Sequence, residues 1–139
     1  MKRQSRVRRL ALQGLCCLDS QGESAMELVD DFIADSRQPL ETVDDARKLL
    51  RAVWAQREML DASLTRHARN WQLHRLALVD RNVLRLAAYE MFETAVPHKV
   101  AITEAMALAG DFSTAESPRF VNAICDAIAK EIQAQTQRD

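Results

Sequence analysis

The apolar residues of this chain recur at helical spacing over most of its length. In the clearest stripe, intervals of three and four place the side chains on one face of a helix. This stripe consists of Val121, Ile124, Cys125, Ile128 and Ile132. Only three glycines and three prolines occur in 139 residues, whereas β-sandwiches, barrels and glycine-rich phosphate loops consume many turn residues. The sequence therefore predicts an all-α protein of about seven helices.

Capping residues indicate where several of these helices begin. Thr42 with Asp45 is predicted to cap the third helix, and Asp80 the helix that follows the middle of the chain. Ser117 followed by Pro118 predicts the start of the last helix, because proline fits the first helical turn. In the second helix, the predicted buried side consists of Ala25, Val29, Phe32 and Ile33.

We interpret residues 1–139 as a single domain made of two helical halves, about 1–70 and 71–135, followed by a polar tail. The apolar spacing of the third helix stretches between Val53 and Leu60, where a bend is expected. A connector with a short helical turn, anchored by Trp71, separates the two halves. No apolar run approaches the roughly 20 residues needed to span a bilayer, so we expect a cytoplasmic protein without membrane contact.

Charge is distributed unevenly although the net charge is only −1. Five cations and no acid occur among the first nine residues, namely Lys2, Arg3, Arg6, Arg8 and Arg9. Residues 19–45 contain nine acids and only one base, Arg37. Such asymmetry is typical of a protein with one surface for polyanions and another for solvent or a basic partner. For the acidic segment, an ordinary solvated surface is the simpler interpretation.

The basic opening segment continues into the first predicted helix. At about 100° per residue, Lys2, Arg6, Arg9 and Gln13 lie on one face of this helix. That face is away from the apolar stripe of the helix, which consists of Val7, Ala11, Gly14 or Leu15, and Leu18. Cations at a helix N-terminus oppose the helix dipole, and a bound phosphate would compensate for this cost. The segment therefore indicates RNA or DNA binding, and a disordered basic leader that aids solubility is the alternative.

Two further places combine charge with helix geometry. At the start of the last helix, Arg119 offers charge and Phe120 offers a ring on which an unpaired base can stack. The alternative is that Phe120 belongs to the core. Arg85 lies inside an otherwise apolar helix, where we expect it to reach a carboxylate of Glu90 or Glu104, the solvent, or a phosphate.

Enzyme signatures are largely missing from the sequence. The three histidines have no cysteine or carboxylate at metal-ligand spacing, and Cys16-Cys17 is a vicinal pair instead of a Cys-x-x-Cys redox motif. No nucleophile elbow, Walker loop or dinucleotide fingerprint occurs. We therefore expect no catalytic residues, no metal and no cofactor.

Several blocks of the chain resemble the NusB family of transcription antitermination factors. The resemblance spans nearly the whole chain, and its order and spacing agree with the family. The matching blocks are Arg6-Val7-Arg8-Arg9-Leu10-Ala11-Leu12-Gln13-Gly14-Leu15, Trp71-Gln72-Leu73-His74-Arg75-Leu76, Val79-Asp80-Arg81-Asn82-Val83-Leu84-Arg85-Leu86-Ala87-Ala88-Tyr89-Glu90, Pro97-His98-Lys99-Val100-Ala101-Ile102-Thr103-Glu104-Ala105 and Phe120-Val121-Asn122-Ala123.

The resemblance implies two orthogonally packed helical bundles and a non-enzymatic role. It implies binding of boxA-type single-stranded RNA together with NusE, a small-subunit ribosomal protein, in the antitermination complex of RNA polymerase, particularly on ribosomal RNA operons. The positions implied near RNA are Lys2, Arg3, Arg6, Arg8, Arg9, Gln13, Arg85, Lys99, Arg119 and Phe120. Those implied for the protein partner are Leu76, Asp80 and Arg81.

Four departures from the family pattern leave the RNA preference open. Cys16 stands where the family commonly has an aromatic residue, and Thr103 replaces a usual asparagine. Gly110 replaces a common lysine, and Pro118 replaces a polar residue. Two other functions remain open: a helical protein-interaction module, which includes a homodimer, and the RNA-recognition part of a ribosomal RNA methyltransferase with a separately encoded catalytic partner.

Overall fold

The computed structural model describes residues 1–68 and 72–138, so the predicted anchor Trp71 lies outside the described residues. Within this part of the chain there are seven α-helices, two short 3-10 turns and no strand. The helices are α1 (Arg3–Gln21), α2 (Met26–Ala34), α3 (Leu40–Ala55), α4 (Arg57–His67), α5 (Leu78–Glu93), α6 (His98–Phe112) and α7 (Ser117–Arg138). The prediction of an all-α protein with about seven helices is confirmed.

The chain divides into two compact units, Met1–Ala55 and Gln56–Asp139. The division falls at the break between α3 and α4, where we expected a bend, and not near residue 70 as the sequence suggested. The physical reason is the packing of the two helices. Helix α3 packs on α1 and α2, whereas α4 packs on α5 and α7, so one continuous helical pattern serves two separate cores.

In the first unit, α1 packs closely against α2 and α3. Its predicted apolar stripe is buried, including Val7, Ala11 and Leu15. Gly14 lies where the three helices approach one another, since a Cβ atom added there would be 2.8 Å from Cγ1 of Val29 and 3.1 Å from a methyl group of Leu50. A glycine at this position therefore permits the close helix packing.

Helix α2 departs from its predicted orientation at one residue. Ala25, Val29 and Ile33 are buried as expected, but Phe32 is 47 % exposed. The helix has only nine residues, and the side that carries Val29 and Ile33 faces the core. Phe32 therefore lies on the outer side of α2, close to Leu28 one turn before it.

The second unit is arranged around α5, which packs against α4, α6 and α7. This explains why the sequence of α5 is apolar on several sides instead of one. Helix α7 contributes its predicted stripe, with Val121, Ile124 and Ile128 buried. Burial also raises the pKa of the Cys125 thiol to about 12, so this cysteine is a core residue and not a nucleophile.

The predicted helix starts are correct in one of three cases. Helix α7 begins at Ser117, whose hydroxyl group accepts a hydrogen bond from the backbone N–H of Thr114 at 3.3 Å. With Thr42 and Asp80 as caps, α3 and α5 would begin at Val43 and Arg81, but they begin three residues earlier, at Leu40 and Leu78. Thr42 and Asp80 therefore lie within the first helical turn instead of capping it. The predicted polar tail is also helical, because α7 continues to Arg138.

Two glycine substitutions are expected to change stability in opposite directions. Gly14→Ala should lower the free energy of unfolding by about 1–3 kcal/mol, because its new methyl group overlaps Val29. Gly110→Ala should raise it by about 0.5–1 kcal/mol, since Gly110 is exposed within α6 and the nearest atom to its added Cβ is 3.6 Å away. Urea unfolding measures the free energy of unfolding of both variants. Equal changes in the two variants would contradict the close packing at Gly14.

Candidate nucleic-acid interface

Three of the four residues of the basic face predicted for α1 line a groove in the first unit, whereas the fourth, Lys2, precedes the helix and does not line it. Arg6, Arg9 and Gln13 line this groove together with Ser36 and Gln38 from the connection between α2 and α3, and Met1 and Leu10 complete the lining. Its volume is about 330 Å³. The lining has two guanidinium groups, two amides and a hydroxyl group but no carboxylate, so it is suited to a phosphate and a sugar.

Two of the other arginines in the basic segment have different surroundings. Arg3 forms an ion pair with Asp45 and donates a hydrogen bond to the backbone oxygen of Glu41 at 3.1 Å. Arg8 is only 5 % exposed. Its position follows from the helical period, because Arg8 precedes the buried residues Ala11 and Leu15 by one and two turns. Arg8 is buried, and the guanidinium of Arg3 is paired with Asp45. The candidate interface therefore does not include either residue.

Arg85 is also committed to an internal contact. Its Nε and Nη2 atoms donate to the two carboxylate oxygens of Asp61 on α4, each at 2.7 Å, and Nη1 donates to Oδ1 of Asn82 at 3.2 Å. The residue is 6 % exposed. This two-pronged pair ties α4 to α5. Arg85 is therefore a structural residue in this protein, and the candidate RNA interface does not include it.

A second groove lies in the second unit, beside the start of α7. Arg119 and Phe120 line it together with Leu76 and Asp80, and its volume is about 530 Å³. The remaining lining residues are Arg75, Ala77, Thr114, Glu116, Ser117 and Ala123. The structure thus brings two residues expected near RNA together with two expected near a protein partner. Phe120 is half-buried and lies in the groove wall, not sealed in the core.

Two other predicted residues lie outside the lining of this groove. Arg81 donates from Nη1 to the backbone oxygen of His74 at 3.3 Å. Lys99 is exposed in the first turn of α6.

One carboxylate oxygen of Asp80 has no hydrogen-bond donor within residues 1–68 and 72–138, although it is buried. A buried acceptor without a donor is uncommon in native proteins and requires an explanation. Asp80 also lies in the wall of the second groove.

Sequence reasoning missed several residues of the two grooves. Ser36 and Gln38 lie more than 20 positions from the arginines they accompany, and no local pattern connects them. Arg75 lies inside a block that already resembled the family, so that block was the available signal. Asp61 was missed as the partner of Arg85 because the pair is separated by 24 positions along the chain.

Other kinds of site find no support in the described part of the chain. No group of three or more His, Cys, Asp or Glu side chains there could hold a metal ion. None of its helices combines the length and the apolar character needed to cross a membrane.

Comparison with known proteins adds to this geometry. Residues 5–130 match the model of the NusB family. The transcription antitermination protein NusB of a Nocardioides species is 40 % identical over 131 residues, which cover 94 % of this chain and 96 % of that protein. The chain belongs to the NusB family. A second NusB, from an Anaeromyxobacter species, is 38 % identical over 98 % of this chain and 96 % of its own length.

Solved structures give the same fold. NusB of Thermotoga maritima superposes with a TM-score of 0.84 and 35 % identity, covering 94 % of this chain and 92 % of that one. A crystal structure of the antitermination factors NusB and NusE in complex with double-stranded RNA contains a chain with a TM-score of 0.83. At 24 % identity, over 94 % of this chain and 98 % of that one, this second likeness concerns the fold alone.

The structural role of Arg85 leads to a stability prediction. Asp61→Ala should lower the free energy of unfolding by about 3 kcal/mol, because it leaves a buried guanidinium without its carboxylate. As a control, Arg66→Ala breaks the more exposed pair with Glu131 and should cost no more than about 1 kcal/mol. Urea unfolding measures both, and a stable Asp61→Ala variant would return Arg85 to the candidates for RNA contact.

Proposed function

We propose that this protein is an antitermination factor that binds boxA-type single-stranded RNA jointly with NusE. In this proposal the complex helps RNA polymerase to transcribe through terminators, above all on ribosomal RNA operons, and the protein itself has no catalytic role. The observation that carries the proposal is the carboxylate-free groove lined by Arg6, Arg9 and Gln13 in a chain of the NusB family. The NusB relatives named above are antitermination proteins, and one solved complex holds NusB with NusE and RNA.

The groove of the first unit would bind the RNA backbone. Arg6 and Arg9 lie on successive turns of α1, so each can meet a phosphate of an extended strand while Gln13 bonds to a sugar or base edge. Arg3, Arg8 and Arg85 are excluded because of their surroundings within the protein. The remaining candidate cations are Lys2, Arg6, Arg9, Lys99 and Arg119. These cations contribute by releasing condensed counterions from the RNA, which makes binding dependent on salt.

The groove of the second unit would add base contacts. Phe120 lies in its wall beside Arg119, so an unpaired base can stack on the ring while its phosphate meets the guanidinium. Stacking of a base on an aromatic side chain contributes about 1–3 kcal/mol. Because Cys16 stands where the family commonly has an aromatic residue, Phe120 carries more of the stacking in this protein.

The same groove would meet the protein partner. Leu76 offers an apolar contact, and Asp80 offers a carboxylate in the groove wall that a basic residue of NusE would meet. In the complex, this protein and NusE each present an RNA-binding surface to the same strand. Once one surface has bound the RNA, the effective concentration of the RNA near the other surface is higher. Such a heterodimer binds RNA more tightly than either protein alone.

Salt dependence provides the main test of RNA binding. With about five phosphates neutralised, log Kd should rise against log salt with a slope of about 3.5 for a boxA-type single strand. Arg6→Ala should lower that slope by about 0.7, since one phosphate contact is lost. Fluorescence anisotropy at several salt concentrations measures both quantities.

Lys48→Ala is the matched control, because Lys48 is exposed on α3 and does not line the groove of α1. It should leave the slope unchanged. A flat salt response of the wild-type protein would contradict RNA binding, and equal effects of Arg6→Ala and Lys48→Ala would contradict the placement on α1. Phe120→Ala should weaken binding by roughly tenfold without changing the slope, since stacking involves no phosphate.

A second experiment separates the partner contact from the RNA contact. Asp80→Asn should leave RNA binding by the isolated protein within about twofold and should reduce the gain that NusE gives, because charge at the partner contact is lost. Titration of NusE into a mixture of RNA and protein measures this gain. The same gain in wild type and variant would place the NusE contact elsewhere, and methyl transfer by the isolated protein would overturn the non-enzymatic role.

A further inference from the structure

An apolar cleft lies between α1 and α2 in the first unit. Gly14 and Cys17 belong to its α1 side, and Leu28, Val29 and Phe32 belong to its α2 side, with a volume of about 360 Å³. Leu28 is 58 % exposed and Phe32 is 47 % exposed. Large apolar side chains one helical turn apart, exposed beside a cleft, are typical of a surface that binds another protein. The cleft shares only Gln13 with the groove of Arg6 and Arg9.

Three acids near Leu28 and Phe32 in the sequence are exposed but do not line the cleft. Glu27 and Asp31 are exposed on α2, and Asp35 follows directly after the helix. Around the helix axis, Asp31 is about 60° from Leu28. Within the described ranges, 1–68 and 72–138, none of the three side chains has an ion-pair partner. Asp30, in contrast, is paired with Arg47 and Arg51 of α3. The acids that face outward therefore remain available to an external cation.

We propose that this cleft is a docking site for a basic amphipathic helix of another protein. The apolar face of that helix, with anchors at spacings of three and four residues, would cover Leu28 and Phe32. Its lysine and arginine side chains would meet Glu27, Asp31 and Asp35, which speeds association and selects the charge of the partner. This proposal gives a role to the acidic segment 19–45, which RNA binding does not use.

Charge decides against the other possible occupants. A second copy of this chain, packed cleft against cleft around a two-fold axis, would bring two acidic α2 helices close together, and like charges repel. The basic helix α1 of another copy has no apolar anchors to offer, because Val7 and Leu15 are buried in its own core. RNA would be repelled by the exposed carboxylates of α2, and the cleft lining offers it no cation.

The test uses three labelled 18-residue helical peptides with the full-length protein. The first has leucines on one face and lysines on the rest, the second has the same leucines with glutamates, and the third has the composition of the first in scrambled order. Fluorescence anisotropy should show at least tenfold tighter binding of the first peptide than of either other one. Equal binding of the first and third would overturn the proposal, because charge alone would then suffice.

Substitutions in the protein locate the bound peptide. Leu28→Lys and Phe32→Ser should each weaken binding of the first peptide at least tenfold, and both side chains are exposed enough for the fold to tolerate the change. Leu40→Ser is the matched control, because Leu40 is an exposed leucine of the same unit that does not line the cleft. The double variant E27K/D31K should shift preference toward the glutamate peptide. Loss of binding only in the Leu40 variant would place the site elsewhere.

Cys17 provides a direct probe of occupancy. In a Cys16→Ser background the remaining thiols are the half-buried Cys17 in the cleft and the buried Cys125. The first peptide should slow alkylation of Cys17 by iodoacetamide at least fivefold and leave Cys125 unchanged. Unprotected Cys17 at saturating peptide would overturn the proposal. A concentration-dependent dimer in sedimentation velocity that Leu28→Lys abolishes would do the same, because a second copy would then occupy the cleft.

Discussion

The second unit depends on the burial of a charged residue within its central helix. Residues 83–88 of α5 are all buried, and Arg85 is the one charged side chain among them. Its guanidinium is tolerated because Asp61 provides two hydrogen bonds and Asn82 provides a third. A buried ion pair of this kind gains little net stability over apolar packing, but breaking it is costly. The pair therefore holds α4 against α5, because an arrangement that separates Asp61 from Arg85 leaves a buried charge without its partner.

The same residue shows what a sequence can and cannot indicate. Helix existence, the apolar stripes of α1 and α7, and the Ser117 start of α7 were predicted because each depends on neighbours within a few positions. The partner of Arg85 could not be predicted, since Asp61 lies on another helix and several carboxylates were equally plausible from spacing alone. The boundary between the units was also missed, because an uninterrupted helical pattern gives no sign that its two halves belong to different cores.

In the candidate site too, features that depend on neighbouring positions could be predicted, and features that depend on tertiary contacts could not. Helical period alone placed Arg6, Arg9 and Gln13 on one face, and the structure has them along one groove. The period also predicts that Arg8 accompanies Ala11 on the buried side, an inference that was available from the sequence but obscured by the basic character of the whole segment. Ser36 and Gln38 reach this groove through the connection between α2 and α3, which only the tertiary structure reveals.

The charged side chains of the first unit differ in whether a side chain of opposite charge lies opposite them. Asp30 and Asp45 lie opposite arginines of their own unit, so their charges are balanced there. Arg6 and Asp31 have no such ion pairs within residues 1–68 and 72–138, and each therefore keeps its charge for an external ligand. Arg6 lines the groove of α1, whereas Asp31 is an outward-facing acid of α2, next to the apolar cleft in sequence. The groove and the cleft share only Gln13, so the proposed RNA strand and the proposed basic helix would contact largely different side chains. A net charge of −1 thus conceals areas of opposite charge, and in the two proposals the local charge, not the net charge, selects the partner.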